Sequence, residues 1–252
     1  MESVYPESFA RFYDTLYHFH RDTVDNEFFL GEIKKCRGKV LEIGAGTGRF
    51  FSAALNSGAD IYAIDISRAM LDVLVTKIPP DQEFRVSIQD IVSFGFDFRF
   101  DLIIAPFRVM MHLIDKADQM KALDNVFNHL NPGGRFIFDT FVPDLKPLIN
   151  GLDRVTDFDG EYMQGKRLKR VISTLPDTFN QIINIHFHLE WDEDEGRKSD
   201  DWHTRLRYYF RFELEHLIER SKFGKYRIMG DYLGNPINRS SKDFVVECEK
   251  TG

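Results

Sequence analysis

A short apolar strand that runs directly into a glycine loop and leaves it as a helix constrains this chain more than any other feature. Lys39-Val40-Leu41-Glu42-Ile43 is the strand, Gly44-Ala45-Gly46-Thr47-Gly48 the loop, and a helical pattern spans Thr47 to Asn56. Glycines at such a junction let the backbone turn tightly and let a ligand approach the chain closely. The alternation then repeats. Asp60 to Asp65 is a second apolar strand, and Ser67 is placed to cap a helix carrying Met70, Leu71 and Leu74. Phe84 to Ile88 and Phe100 to Ala105 read as a third and a fourth strand. A helix with Met120, Leu123, Val126, Phe127 and Leu130 on one face stops at Asn131-Pro132-Gly133-Gly134, and Arg135 to Asp139 is a fifth strand. Short apolar strands separated by helices build a parallel sheet covered on both faces. Residues 39–141 therefore predict a doubly wound α/β core with its ligand at the carboxyl ends of the strands.

The flanks read differently. Residues 1–38 form a helical, polar-aromatic cap segment. After Asn150 the pattern changes to long strands of period two at Lys166–Ser173, Gln181–Trp191 and Thr204–Phe212. In the second of these, Asn184, His186, His188 and Glu190 share one face, and Ile183, Ile185, Phe187, Leu189 and Trp191 the other. Such strands predict an antiparallel layer with one packed and one wet face. Asp192 to Asp201 reads as an acidic turn. A helix resumes over Glu213–Phe223, and Tyr226–Tyr232 and Asp243–Glu249 read as closing strands. The expected organisation is a cap over residues 1–38, a core from 39–150 and 213–252, and an antiparallel β insertion over 151–212.

Composition excludes several classes. The chain has 252 residues and a net charge of −7, which disfavours a nucleic-acid binder, whose phosphate contacts need a basic footprint. Hydrophobic residues make up 43%, with 24 Phe, enough to build a large core. No apolar run reaches the ~18 residues of a membrane span, and no charged-then-apolar leader opens the sequence. Cys36 and Cys248 have neither metal-ligand nor redox spacing, so no metal site is expected. Asn238-Arg239-Ser240 fits a glycosylation sequon that, without a leader, reads as chance. A cytoplasmic protein, monomeric or homodimeric, is the expectation.

Spacing narrows what the glycine loop holds. A dinucleotide fingerprint counted from Gly44 puts Arg49 where the third Gly or Ala belongs, and no Gly-Lys-Ser/Thr of a P-loop is present. Asp65, 21 residues beyond Gly44, ends the second strand, where a carboxylate can accept hydrogen bonds from ribose hydroxyls. Gln89-Asp90-Ile91 follows the third strand and Ala105-Pro106-Phe107 ends the fourth.

Taken in order, Val40–Phe50, Ala63–Met70, Gln89-Asp90, Phe100–Phe107 and Leu130–Asp139 resemble the class I S-adenosylmethionine-dependent methyltransferases over about 100 residues. The resemblance implies a Rossmann-like sheet of seven strands, the last antiparallel, with S-adenosylmethionine as cofactor. Gly44, Ala45 and Gly46 would cradle its methionine portion, with Glu42 behind the loop. Asp65 would hold the ribose and Asp90, beside Gln89, the adenine amine. Ile66, Met70 and Ile91 would pack around the adenine. Ala105 and Phe107 would lie on the wall after the fourth strand, and Arg108 with Phe107 on the acceptor side. Phe9 to Asp14 and the insertion are similar to the small-molecule subgroup that includes amino-sugar and glycine N-methyltransferases, with Tyr13 closing over the cofactor. The implied activity is methylation of a small molecule at nitrogen or oxygen. A non-enzymatic module binding the same cofactor, or a nicotinamide-dependent oxidoreductase, would be the alternatives.

Methyl transfer from a sulfonium asks for placement of the acceptor more than for covalent work by the protein, though a hydroxyl acceptor needs a base within ~3 Å. His112, after the fourth strand, is the candidate base; a histidine satisfied by local backbone is the competing reading. Arg205, Arg207 and Arg211 could recognise an acidic acceptor, or form a solvated face. His186 and His188, and the basic run Lys166–Arg170, read as strand faces, and Tyr17 as helix packing.

Overall fold

A computed structural model describes residues 4–18 and 24–251. Two helices lead, α1 (Glu7–His18) and α2 (Val24–Lys35); residues 1–3 and 19–23 of the cap segment lie outside the described residues. The core follows as β1 (Val40–Ile43), α3 (Arg49–Asn56), β2 (Ile61–Asp65), α4 (Arg68–Val75), β3 (Val86–Ile88), β4 (Phe100–Ala105), α5 (Lys116–His129) and β5 (Leu130–Phe141). A short helix α6 (Leu145–Asn150) leads into β6 (Leu152–Met163), β7 (Lys166–Asp177), β8 (Ile182–Glu193) and β9 (Gly196–Arg207). Helix α7 (Arg211–Glu219) returns the chain to β10 (Lys225–Met229) and β11 (Asp243–Glu249).

The strands form two sheets. The larger has seven strands in the order β10-β11-β5-β4-β1-β2-β3, and the smaller has four in the order β6-β7-β8-β9. In the large sheet only β11 runs against its neighbours β5 and β10. This is the doubly wound sheet with an antiparallel insertion after the fifth strand that the sequence predicts. Both of its faces are buried, and alternate residues of a strand serve opposite layers. Leu41, Ile43, Ile103 and Phe136 join the core on one side, and Val40, Leu102, Ile104 and Ile137 the core on the other. The small sheet is one-sided. Phe187, Leu189, Trp191 and Trp202 pack against Phe9, Phe12 and Leu16 of α1. Among the described residues no helix is long and apolar enough to cross a membrane.

Several local expectations shift. Residues 80–85 form a 3-10 turn begun by Pro80, so β3 is shorter than the apolar run suggests. Asn131–Gly134 ends α5 as expected but is held inside β5. Pairing with β4 jumps from Phe100↔Leu130 to Leu102↔Arg135, and Gly133 N and Gly134 O bond Lys250. The insertion has four strands rather than three. Much of β6 is an exposed edge, so its sequence carries no clear apolar alternation. The acidic stretch 192–201 is mostly strand, with only Asp194-Glu195 between β8 and β9. The third predicted strand overshoots: Tyr208 and Tyr209 are both buried, which a half-buried strand does not allow, and the chain turns there into α7.

Phe138, fully buried, stacks on Phe136 with ring centroids 5.1 Å apart and lies in register between Ala105 and Val246. Phe138→Ala removes a large side chain from a layer closed on both sides and should cost about 3–5 kcal/mol of stability, read as a lower urea midpoint with an unchanged slope.

Candidate functional site

The glycine loop is shaped by its own hydrogen bonds. The amides of Gly44 and Ala45 both donate to the carbonyl of Ile64 at 2.8 and 3.1 Å. Gly46 N donates to Asp65 Oδ2 at 2.8 Å, and Gly48 N to the Ala45 carbonyl at 2.9 Å. Gly44 and Gly46 have φ of 70° and 56°, which an L side chain rarely adopts. A Cβ on Gly44 would run into Val109, whereas one on Gly46 would point into open space. The first glycine therefore permits close packing behind the loop, and the second leaves a bare backbone surface in front of it.

Asp65 sits at the carboxyl end of β2 and joins three elements. Besides Gly46 N, its carboxylate accepts from Ser67 N at 2.8 Å. Ser67 in turn caps α4 by accepting from Met70 N at 3.3 Å and donates to the Tyr5 carbonyl at 3.1 Å. Burial raises the pKa of Asp65, against the lowering effect of the Ser67, Gly46 and Ile66 amides. Glu42, on β1, is 1% exposed, and its Oε2 has no hydrogen-bond partner among the described residues. Burial, then the nearby Asp65 charge, pushes its pKa well above the usual carboxylate range.

These groups open onto a cavity of about 350 Å³ at the carboxyl ends of the parallel strands, a size suited to a small-molecule ligand. Glu42, Gly44, Ala45 and Gly46 line it from β1 and the loop, and Asp65, Ile66 and Met70 from β2 and α4. Gln89, Asp90 and Ile91 line it after β3, and Tyr13, Phe107 and His112 complete the predicted set. Two of the wall's polar side chains are locally engaged. Gln89 donates to Ser87 Oγ at 2.9 Å and accepts from Gly95 N at 2.8 Å, and Asp90 Oδ1 accepts from Val92 N at 3.0 Å.

Two expectations fail on position. Ala105 is fully buried within β4 and is not on the cavity wall. Arg108 is not on the acceptor wall either. Its left-handed backbone turns the side chain to the edge of the large sheet, where Asp139, Asp243 and Tyr232 bind it.

The roof is aromatic. Tyr5 stacks at 4.1 Å from Trp202, Tyr13 lies 4.5 Å from Tyr17, and Tyr17 lies 5.4 Å from Phe107 (centroid distances). The small sheet, α1 and the loop after β4 thus meet above the cavity. Arg170, the last residue of the basic run, is buried with its guanidinium 4.8 Å from the Tyr17 ring and bonded to Asp157. The roof is tied to the loop below it: Thr47 Oγ1 donates to Asp14 Oδ1 at 2.6 Å, and Lys77 bonds both Asp14 and, at 2.8 Å, the Thr47 carbonyl.

At the far end the wall is polar, with His112, Asp115, Asp118 and Arg205. Burial holds His112 neutral, its pKa lowered to about 4. The three arginines separate. Arg207 donates to the Ile114 carbonyl at 2.6 Å and Arg211 pairs with Glu215 at 2.8 Å, whereas Arg205 lines the cavity and forms no ion pair among the described residues. His186 and His188 share Asp201 at 2.6 and 2.9 Å on the exposed face of β8 and β9, and no metal-binding cluster occurs among the described residues.

Sequence reading missed Tyr5, Val109, Asp115 and Asp118. Tyr5 had a signal: Tyr5, Phe9, Tyr13 and Tyr17 recur every fourth residue, an aromatic spacing that begins just before α1 and continues along it. Val109 had none, because its role comes from a close approach to Gly44 across the fold.

Comparison with known proteins agrees with this geometry. Residues 40–134 match the methyltransferase domain family. An uncharacterized methyltransferase of Bacillus mycoides strain KBAB4 is 32% identical over 141 residues, 56% of this chain and 58% of the relative. The chain thus spans little more than half the length of the curated relatives it matches at that identity. A solved S-adenosylmethionine-dependent methyltransferase of Clostridium acetobutylicum superposes with a TM-score of 0.76 at 20% identity, covering 97% of this chain and 98% of that one. The sugar N-methyltransferase KedS8 of Streptoalloteichus superposes at 0.75 and 17% identity, covering 95% and 93%. At these identities the two likenesses are of fold. The family match over residues 40–134, the strand order and the two superpositions agree on the Rossmann-like methyltransferase fold.

Proposed function

We propose that the protein is an S-adenosylmethionine-dependent methyltransferase acting on a nitrogen or oxygen of a small molecule. One observation carries the choice of cofactor. A phosphate-binding loop presents free amides to its ligand. Here the amides of Gly44, Ala45, Gly46 and Gly48 are all spent on Ile64, Asp65 and Ala45. Four of the five loop amides are thus turned inward, and such a loop offers mainly carbonyl and Cα surface, which suits a cationic sulfonium better than a pyrophosphate. The same fact disfavours a nicotinamide cofactor.

The residues present fit S-adenosylmethionine. Asp65, oriented by two amides, retains oxygen lone pairs for ribose hydroxyls, and Glu42 Oε2 is a buried polar atom with no partner among the described residues. Ile66, Met70 and Ile91 supply an apolar slot for the adenine. When bound, this cofactor supplies an electrophilic methyl group on a positively charged sulfur. The chain's part is to place an acceptor lone pair in line and to exclude water. The Tyr5–Trp202 and Tyr13–Tyr17 roof excludes water, and the polar wall beyond Phe107 receives the acceptor. Neutral His112 can accept a hydrogen bond from an acceptor N–H or O–H and so aim its lone pair. Arg205, with no ion partner among the described residues, favours an acceptor that carries an anionic group.

Asp65→Ala should weaken binding of S-adenosylhomocysteine by roughly tenfold to a hundredfold in calorimetric titration, the value of one or two hydrogen bonds to a charged group, while circular dichroism stays unchanged. An unchanged affinity overturns the ribose assignment. The His112 ring resonances should titrate near 4, with no step close to the ordinary ~6.5 of a free histidine. A midpoint near that ordinary value removes the neutral acceptor from the site at mildly acid pH. In a screen for S-adenosylhomocysteine release, amines bearing a carboxylate or phosphate should turn over faster than their neutral analogues, and Arg205→Gln should raise KM for the former alone. Equal turnover of both classes removes Arg205 from acceptor selection.

A further inference from the structure

Phe107 and Arg108 are consecutive residues in the left-handed region, with φ of 60° and 70°. One such residue without glycine is uncommon, and a bulky one is an outlier that persists only where its surroundings over-determine it. The surroundings of Arg108 here are three side chains from three segments, Asp139, Tyr232 and Asp243. Asp139, in β5 and 1% exposed, accepts the Arg108 backbone amide through Oδ1 at 2.9 Å. Its Oδ2 takes the Arg108 guanidinium and the Tyr232 hydroxyl. Asp243, the first residue of β11, accepts from the other guanidinium nitrogen at 2.6 Å, and Tyr232 OH also accepts from Arg108 at 3.1 Å.

None of these four residues lines the cavity, yet the residues on either side of Arg108 do. Phe107, Val109 and His112 are all on its wall, and Val109 is the side chain that a Cβ on Gly44 would strike. A single carboxylate would neutralise Arg108. Fixing both its main chain and its guanidinium to one aspartate, with a second acid and a phenol to complete the shell, defines a direction as well as a charge.

We propose that the Arg108–Asp139–Asp243–Tyr232 cluster is the positioning device of the cavity wall. It holds the two left-handed residues so that Val109 seats against the glycine loop and Phe107 and His112 face the reacting centre. Arg108 and Asp139 are thus positioning residues, acting through the loop between them and the cavity. The consequence for ligand binding rests on the function proposed above; the hold on the loop does not.

The test pairs two readouts on the intact chain. Hydrogen exchange over residues 106–113, with nothing added, reports the loop. Calorimetric titration with S-adenosylhomocysteine reports the cavity. Asp139→Asn and the milder Tyr232→Phe are compared with Arg135→Gln. That control breaks a different ion cluster, Arg135 with Glu32 and Glu247 at 2.7 and 3.3 Å, on β5, α2 and β11 and off the cavity wall. Asp139→Asn and Tyr232→Phe should speed exchange across 106–113 and weaken ligand binding, about tenfold for Asp139→Asn, while Arg135→Gln lowers the melting temperature and moves neither. Exchange no faster than in Arg135→Gln overturns the proposal. If Asp139→Asn fails to fold, Tyr232→Phe decides alone. If the wild type binds no S-adenosylhomocysteine, the proposed function falls, and the exchange comparison still decides this one.

Discussion

The hydrogen bond from Gly46 N to Asp65 Oδ2 is the constraint on which the rest of the site depends. It fastens the glycine loop of β1 to the end of β2, and the same carboxylate receives the first amide of the turn into α4. Through Ser67 the connection reaches the Tyr5 carbonyl, and so the roof. A half-buried carboxylate is costly to keep charged, and desolvation raises the pKa of Asp65 accordingly. The backbone amides offset part of that cost and fix the direction of the oxygens. A hydroxyl brought to Asp65 would then meet a preformed acceptor rather than one that must be desolvated and turned on arrival.

The cavity is assembled from layers with different physical origins. Its floor belongs to the parallel sheet, rigid because both faces are packed with Leu, Ile and Phe. Its roof is an aromatic contact between α1 and the small sheet, tethered to the loop below by Asp14, Thr47 and Lys77. The wall between them is the turn after β4, a strained backbone held by charge. A pocket with a rigid floor and a roof tied down by a few polar contacts has an obvious division of labour. The floor sets the position of the ligand, and the roof sets its exposure to water.

Electrostatics sort the charged residues in a way that composition does not reveal. Arg205, Arg207 and Arg211 alternate on one stretch of chain, yet one faces the cavity, one caps the Ile114 carbonyl and one pairs along α7. Arg211 differs because of where β9 ends: past Arg207 the chain leaves the sheet, so strand period no longer decides where a side chain points. Arg108 and Phe107 diverge for a related reason. Two left-handed residues in succession send neighbouring side chains to opposite sides of the turn, one to the cavity and one to the sheet edge.

The large sheet was legible because burial on both faces writes itself into short apolar runs, and turn chemistry at Gly44–Gly48 and Asn131–Gly134 punctuates them. The order of motifs likewise pointed to Glu42, Gly44, Gly46, Asp65 and Asp90, since each sits at the end of a strand or just beyond it and the parallel topology brings such ends to one edge. Strand β6 was not legible, because an exposed edge needs no apolar alternation, and neither was the length of β9, because charge at its start masked the strand. Sequence alone thus determined the fold class and the edge of the sheet at which a cavity opens, both consequences of local period and local turns. The tertiary structure decided that Ala105 is core, that Arg108 bonds across a turn, that Val109 seats on Gly44 and that Arg205 lines the cavity with no ion partner among the described residues. Each of those depends on which distant residues meet, and contact between segments far apart in the chain leaves no period in the sequence to read.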